Sequence, residues 1–399
     1  MPKREYFKFY ASFGTAGHSK NANFLFPKGI SVSPDGKFLA VADSGNNRIV
    51  LLKIVFGGAA SQSLSLVHEK VYGDIWPWKG SIFPKDPPDA YREPDNSDGL
   101  ALPRALDGRA FHGGEGKIRP GEMVPMDRFN QPETLAWLST QTLAIADTGN
   151  HRIKGLSTSG DVLWILGQEG WKSGYFHSPN GIDRDDDGNI YVTEARSKYI
   201  RGLGMDFLQR QRAQGNRLQI FNPDLTFQEH LGHMHHDSGR NNMQFKDLER
   251  ICCFSGGGFL LTDSGNHRIL VFDASRKVRK VLAKWPYYSL RYPRGVDADD
   301  EGRFLICDTG NHKILILEND GTVISQIIGK NGIQDAQFSY PHEARFAPKG
   351  YLFVLDTGNC RIQIFRGPYK EETPPIQASP SMPLTLPPDL PRNIPKESF

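Results

Sequence analysis

The chain has 399 residues, 48 basic and 45 acidic, with a net charge of +3 and four cysteines. This balance excludes a chain-wide nucleic-acid footprint and a charged tail, and no apolar run is long enough to span a membrane. The opening Met1-Pro2-Lys3-Arg4-Glu5-Tyr6 lacks the apolar core of a signal peptide. Cys252, Cys253, Cys307 and Cys360 lie in or beside apolar strand patterns without metal spacing, so a cytoplasmic protein with reduced thiols is expected.

In chain order, residues 6–14 read as a strand without a local partner. A four-part unit follows over residues 24–56. Ile30-Ser31-Val32-Ser33 alternates like a half-buried strand, and Pro34-Asp35-Gly36-Lys37 is a tight turn. Phe38-Leu39-Ala40-Val41-Ala42 is a buried strand ending at Asp43. The turn Ser44-Gly45-Asn46 leads into a third strand from Arg48. The same order restarts at Pro132, Pro179, Pro293 and Pro341, and without the proline at Phe245. The third unit carries Glu194 where the others carry Asp, then an interruption over 196–215 before the pattern resumes near Arg217. The last unit holds only three strands, so the N-terminal strand is expected to supply its fourth.

Two segments stand outside the repeat. Residues 73–128 form a long insertion rich in proline, glycine and charge, and residues 367–399 hold nine prolines and should be extended.

The recurring heptad is Asp, Ser or Thr, Gly, Asn, any residue, Arg or Lys, Ile. It occupies 43–49, 147–153, 263–269, 308–314 and 356–362, with starts 45 and 48 residues apart in the last three copies. That period suits a four-stranded propeller blade. With Phe176-His177-Ser178-Pro179-Asn180-Gly181-Ile182 and Gly188-Asn189-Ile190-Tyr191-Val192, these motifs resemble the NHL repeat over about two-thirds of the chain. The resemblance implies an all-β fold: one six-bladed β-propeller over 1–366, closed by its N-terminal strand. No RING, B-box or coiled-coil pattern precedes the repeats, so the ubiquitin-ligase members are not matched.

Five pairs are expected to be structural, because one active site does not need five copies: Asp43 with Arg48, Asp147 with Arg152, Asp263 with Arg268, Asp308 with Lys313 and Asp356 with Arg361. The residue after each opening proline, or its equivalent, should line the channel mouth. This ring comprises Lys28, Glu133, Asn180, Glu249, Arg294 and His342. Glu133, Asn180 and Glu249 offer oxygen ligands of the kind calcium takes, and the resemblance includes calcium-dependent lactonase-type enzymes. Zinc-holding amidating lyases of similar fold use several Pro-His pairs, and only Pro341-His342 matches. Lys28 and Arg294 could instead neutralise the carboxylates.

Residues 183–194 match the EF-hand loop expression, but predicted strands flank them where an EF-hand needs helices. His233, His235 and His236, with His230 nearby, form a second candidate metal cluster. Arg196, Lys198, Arg201, Arg210, Arg212 and Arg217 form a candidate basic surface for a partner or RNA, and residues 276–280 form another. The favoured expectation is a non-enzymatic scaffold without a cofactor, docking into a larger protein assembly. The alternatives are a calcium- or zinc-dependent propeller enzyme acting at the channel mouth, and an RNA-binding propeller.

Overall fold

Short alternating strands separated by tight turns fold here into sheets that can bury both faces only against one another. The computed structural model describes residues 6–17, 23–57, 63–73, 128–170, 172–195, 216–232, 243–318 and 321–367. Six four-stranded antiparallel sheets form the blades. Blade 1 runs Gly29–Val32, Phe38–Asp43, Arg48–Phe56 and Leu64–Tyr72, from channel to rim. Blades 2 to 5 repeat this order, with innermost strands Leu135–Trp137, Pro179–Arg184, Leu248–Phe254 and Val296–Ala298. Blade 6 takes Pro341–Ala347, Tyr351–Asp356 and Arg361–Arg366 from the end of the repeat. Its outermost strand is Lys8–Phe13, paired antiparallel with Arg361–Arg366. The ring is therefore closed by the N-terminal strand. No helix among the described residues is long and apolar enough to cross a membrane.

The core is divided among the blade joints, and strand alternation explains why. In the second strand of blade 1, Leu39 and Val41 pack against Phe353 and Leu355 of blade 6. Ala40 and Ala42 point the other way, against Leu135 and Ile145 of blade 2. Equivalent clusters fill the remaining four joints. Each sheet contributes both faces, so no blade holds a core of its own.

The repeated heptad forms the same turn in each blade that carries it. Asp43 Oδ1 accepts the N–H of Leu25 at 2.7 Å, while Oδ2 takes Asn46 Nδ2 at 2.8 Å and Arg48 Nε at 2.7 Å. Arg268 reaches Asp263 at 2.7 Å in blade 4, and Arg361 reaches Asp356 at 2.9 Å in blade 6. In blade 3, Glu194 substitutes, with Arg217 Nε at 2.6 Å. Arg217 is thus a buried structural partner and not part of a basic surface.

Two blades depart from the expected one-to-one pairing. In blade 2, Arg152 Nε does meet Asp147 Oδ2, at 2.8 Å, but Arg152 is only half-buried, whereas Arg48 is fully buried. The deep side of the Asp147 carboxylate belongs to Lys154, a fully buried residue whose Nζ lies 3.9 Å from the same oxygen. Arg152 and Lys154 also both donate to the Arg128 carbonyl, at 3.2 and 2.7 Å. Arg152 therefore shares its carboxylate with a second cation that the heptad pattern does not include. In blade 5, the Tyr288 hydroxyl takes Asp308 Oδ2 at 2.6 Å, and Lys313 lies over the Tyr288 ring instead, 5.3 Å from its centre.

The position read as any residue has a definite role. Asn47, His151, His267, His312 and Cys360 all sit at φ between 52° and 57°, in the left-handed region. Each side chain accepts a backbone N–H from the next blade. Asn47 takes Gln131, His151 takes Ser178, His267 takes Tyr292, His312 takes Tyr340 and Cys360 takes Phe26. In blade 3, Asn216 takes Asp247 at 2.7 Å. A backbone N–H can only donate, so Nδ1 of the three histidines is unprotonated. A neighbouring hydroxyl adds a second latch, as where Thr148 Oγ1 donates to the Pro179 carbonyl at 2.6 Å.

Candidate functional site at the channel mouth

The six ring residues come together where the innermost strands begin. Lys28 of blade 1 pairs with Glu133 of blade 2. Asn180 Nδ2 of blade 3 donates to Glu249 of blade 4 at 2.8 Å, and Arg294 of blade 5 reaches the same carboxylate at 2.9 Å. Arg294 also meets His342 Nε2 of blade 6 at 2.8 Å. A guanidinium can only donate, so that imidazole nitrogen accepts. Glu133, Glu249 and His342 bring ligand-type atoms within 4.8 Å of one another. Each of these atoms is engaged by, or adjacent to, a cation of the same ring.

Below the mouth lies a second layer that the ring assignment did not anticipate. Arg250 is fully buried and crosses the axis. Its Nη2 donates to the carbonyls of Lys28 and Glu133 at 2.7 and 3.1 Å, and Nη1 to Asn180 Oδ1 at 3.3 Å. Its Nε lies 3.5 Å from Glu343 of blade 6. Arg345 donates to Glu343 at 2.6 Å, to Asp297 at 3.1 Å and to the carbonyls of Ile30 and Val296. Glu343 Oε2 closes the layer by accepting Ile30 N–H at 2.8 Å.

Part of the signal for this layer, the positions of Arg250 and Glu343, was in the sequence. Two residues after the opening prolines of blades 1, 3 and 5 stand Gly29, Gly181 and Gly295, where a Cβ would collide with the carbonyl of Glu133, Glu249 or His342. Blades 2, 4 and 6 depart from that spelling with Thr134, Arg250 and Glu343.

Electrostatics follow depth. Burial pushes the Asp183 carboxyl up to about 6, with Arg345 opposing it. Asp297 is raised for the same reason. Burial works against the Arg345 charge, but Glu343 and Asp297 outweigh it and hold the guanidinium firmly protonated. The EF-hand-like loop is a hairpin turn. Asp183 accepts Cys253 N–H at 2.8 Å, Asp185 caps Asn189 and Glu194 binds Arg217. The Asp185 and Glu194 oxygens are committed within blade 3, and the Asp183 oxygen to the neighbouring strand of blade 4.

A second cluster emerged at the joint of blades 2 and 3. His151 Nε2 and His177 Nδ1 each lie 4.0 Å from Glu169, and the two rings stack at 5.1 Å. Burial and the His151 charge lower His177 to about 4. His151 accepts Ser178 N–H at Nδ1, so Nε2 presents a hydrogen and not a lone pair to Glu169. As arranged, the cluster is a joint and not a metal centre. His230 bonds within its blade register opposite Gln219. His233, His235, His236, Arg196, Lys198, Arg201, Arg210 and Arg212 lie outside the described residues, as do 74–127 and 368–399.

Residues 290–317, which span most of blade 5, match the NHL repeat family model. The protein is a six-bladed β-propeller that carries an NHL repeat. No curated protein matches the chain in sequence. Among solved structures, a gluconolactonase from Xanthomonas campestris is similar with a TM-score of 0.52 at 12% identity, over 91% of this chain and 97% of that one. Virginiamycin B lyase from Staphylococcus aureus is similar with a TM-score of 0.45 at 14% identity, over 91% and 88%. At 12% identity the likeness of this propeller to the gluconolactonase is one of fold alone.

Proposed function

We propose that this propeller is a non-enzymatic interaction platform that docks into a larger protein assembly through sequence inserted into and appended to its blades. One observation carries the reading. The carboxylates at the channel mouth are matched by Lys28 and Arg294, and the axis beneath is filled by Arg250 and Arg345. A mouth neutralised by its own side chains has lost the charge that would draw in a cation, and its filled axis leaves little room for a substrate. Specificity then belongs to loops on a rigid ring. The four unbridged cysteines fit a cytoplasmic setting.

Gel filtration of native extract, with and without RNase, tests this. A large RNase-resistant species that loses its size when 74–127 or 368–399 is deleted is expected. Migration as a free monomer, or collapse on RNase, would refute the platform.

A second reading has one observation in its favour: Glu133, Glu249 and His342 converge. A metal-dependent enzyme would bind calcium or zinc there, and Glu133→Gln or Glu249→Gln would abolish binding in calorimetry. The platform reading expects no binding at the mouth in the wild type.

A further inference from the structure

We infer that the open edge of blade 4 docks an extended acidic segment of a partner protein, adding it as a fifth strand. The inference rests on the interaction-platform reading and gives it a surface and a partner chemistry.

The outermost strand of blade 4, Val278–Leu282, pairs on one side with Arg268–Phe272. It ends the sheet order, so its other backbone edge makes no ladder hydrogen bonds among the described residues. Such an edge offers N–H and C=O groups to any chain that can lie beside it. The side chains decide which chain that is. Residues 276–284 carry Arg276, Lys277, Arg279, Lys280 and Lys284 and no acidic residue. Arg276 is spent on Glu229, and Lys280 reaches Thr322 at 2.6 Å. Lys277, Arg279, Val281 and Lys284 are exposed.

No other outermost strand carries two cations without an acid. Val162–Leu166 and Val323–Ile328 carry no charge, Phe227–Leu231 carries Glu229, Leu64–Tyr72 balances Glu69 with Lys70, and Lys8–Phe13 carries Lys8 alone. Lysine on an edge strand commonly prevents self-pairing, because two copies would oppose like charges. The same charges favour an acidic strand, since opposite charges across a strand pair are stabilising.

A second feature joins this edge. The strand leads directly into the hairpin Lys284–Trp285 with Tyr288–Ser289. Tyr287 at its tip is 100% exposed. The tip is nonetheless anchored, because Trp285 Nε1 donates to the Gly321 carbonyl at 3.1 Å and the Tyr288 hydroxyl bonds Asp308 at 2.6 Å. An aromatic side chain held in water by fixed neighbours is a docking anchor in waiting. Val281, itself 42% exposed, adds apolar surface on the edge strand.

Fluorescence anisotropy tests the inference, titrating the full-length protein into a labelled peptide of alternating Glu and Val. Peptides of alternating Lys and Val, and of alternating Glu and Pro, are the comparisons. The Glu-Val peptide should bind at least tenfold more tightly than either. The amides of 278–282 should exchange more slowly in its complex. Lys277→Glu combined with Arg279→Glu should weaken binding at least tenfold, and Tyr287→Ala severalfold, with unchanged melting temperatures.

Equal binding of the Glu-Pro peptide would reduce the surface to charge alone and overturn the strand addition. Absence of exchange protection, or preference for a single-stranded RNA oligonucleotide, would overturn it as well. The two readings fail separately. If the doubly substituted protein stays in its native assembly, the edge inference falls and the platform stands. If the wild type is a free monomer that still binds the Glu-Val peptide, the platform falls and the edge chemistry stands.

Discussion

The Nδ1 atom of His267 accepts the backbone N–H of Tyr292 at 3.0 Å, so a side chain of blade 4 fixes the bend that starts blade 5. Both residues are left-handed, at φ 57° and 47°. The bond therefore holds two strained backbone positions together, one on each side of a joint. His267→Ala should cost about 1–2 kcal/mol, the loss of a hydrogen bond to a half-buried amide. In a ring of this size that lowers the melting temperature by a few degrees. His267→Asn should come close to wild type, because Asn tolerates the left-handed region and Asn47 and Asn216 already do this work in blades 1 and 3. Thermal unfolding of both variants decides it. Equal losses would mean that the ring and not the acceptor matters.

The pH response contains two opposed contributions. His177 is lowered from 6.5 to about 4 in the fold. Its contribution is complete above pH 6.5 and is lost as pH falls towards 4, because the unfolded chain takes the proton first. Asp183 is raised from 3.8 to about 6. Its contribution is present below 3.8 and is lost as pH rises through 6. Each is worth up to about 3 kcal/mol. Wild-type stability sums these with other shifted groups, Asp297 and Glu194 among them, so each needs its own variant. The advantage of wild type over His177→Gln should shrink from pH 7 to pH 4. Asp183→Asn should gain on wild type from pH 4 to pH 7. Parallel profiles for either variant would contradict the assignment.

Arg250 joins five blades. It sits on blade 4, contacts the backbone of blades 1 and 2 and Asn180 of blade 3, and faces Glu343 of blade 6. Arg250→Met keeps much of the stem and removes every one of these donors. The variant should lose about 3–5 kcal/mol, as expected when one member of a buried ion network is deleted. Lys28→Met, at the solvent end of the channel, should lose less. Urea unfolding of the two variants orders them, and the reverse order would place the structural weight at the mouth.

The regular part of the protein was legible because it is periodic. Asp43, Asn46 and Arg48 recur as a set, and a turn that satisfies one carboxylate with three donors keeps its spelling. Ring closure was legible because residues 6–14 alternate without a local partner. The variable heptad position was opaque because Asn, His and Cys share no composition, only an acceptor at one geometry. Arg217 was misread for a related reason. It lies at the end of a basic run, and only the substitution of Glu194 for Asp identifies its buried partner. Arg152 was read correctly as a partner of Asp147 but not as one of two, because Lys154 stands one residue beyond the heptad. Lys313 kept its place opposite Asp308 and its charge still favours that carboxylate, but the direct hydrogen bond goes to Tyr288, a residue 20 positions from Asp308 that no local pattern connects to it. The channel was half legible. The ring positions follow from the repeat, whereas Arg250 reaches across it and Arg345 bridges blades 1 and 5, and long-range contacts of single side chains leave no period.

Closure of the ring by Lys8–Phe13 gives the last test. The strand does more than extend blade 6. Phe9 meets Phe365 edge-on at 5.9 Å, and Tyr10 meets Tyr351 at 5.4 Å. The Tyr10 hydroxyl accepts Leu64 N–H of blade 1 at 2.9 Å. On the other side, the Gln326 side chain of blade 5 bonds both backbone groups of Phe7 at 2.8 Å. Deleting residues 1–14 removes aromatic packing worth about 1.5–3 kcal/mol per buried ring and opens a sheet edge. Its melting temperature should fall by more than about 10 °C. The register pairs Lys8 with Arg366, so a short turn can join residue 367 to residue 8 as a hairpin. A circular permutant with that join, opened between residues 17 and 23, should recover most of the lost stability. Recovery would assign the loss to ring closure itself. A deletion that melts like wild type, or a permutant no better than the deletion, would show that the strand is dispensable to the ring.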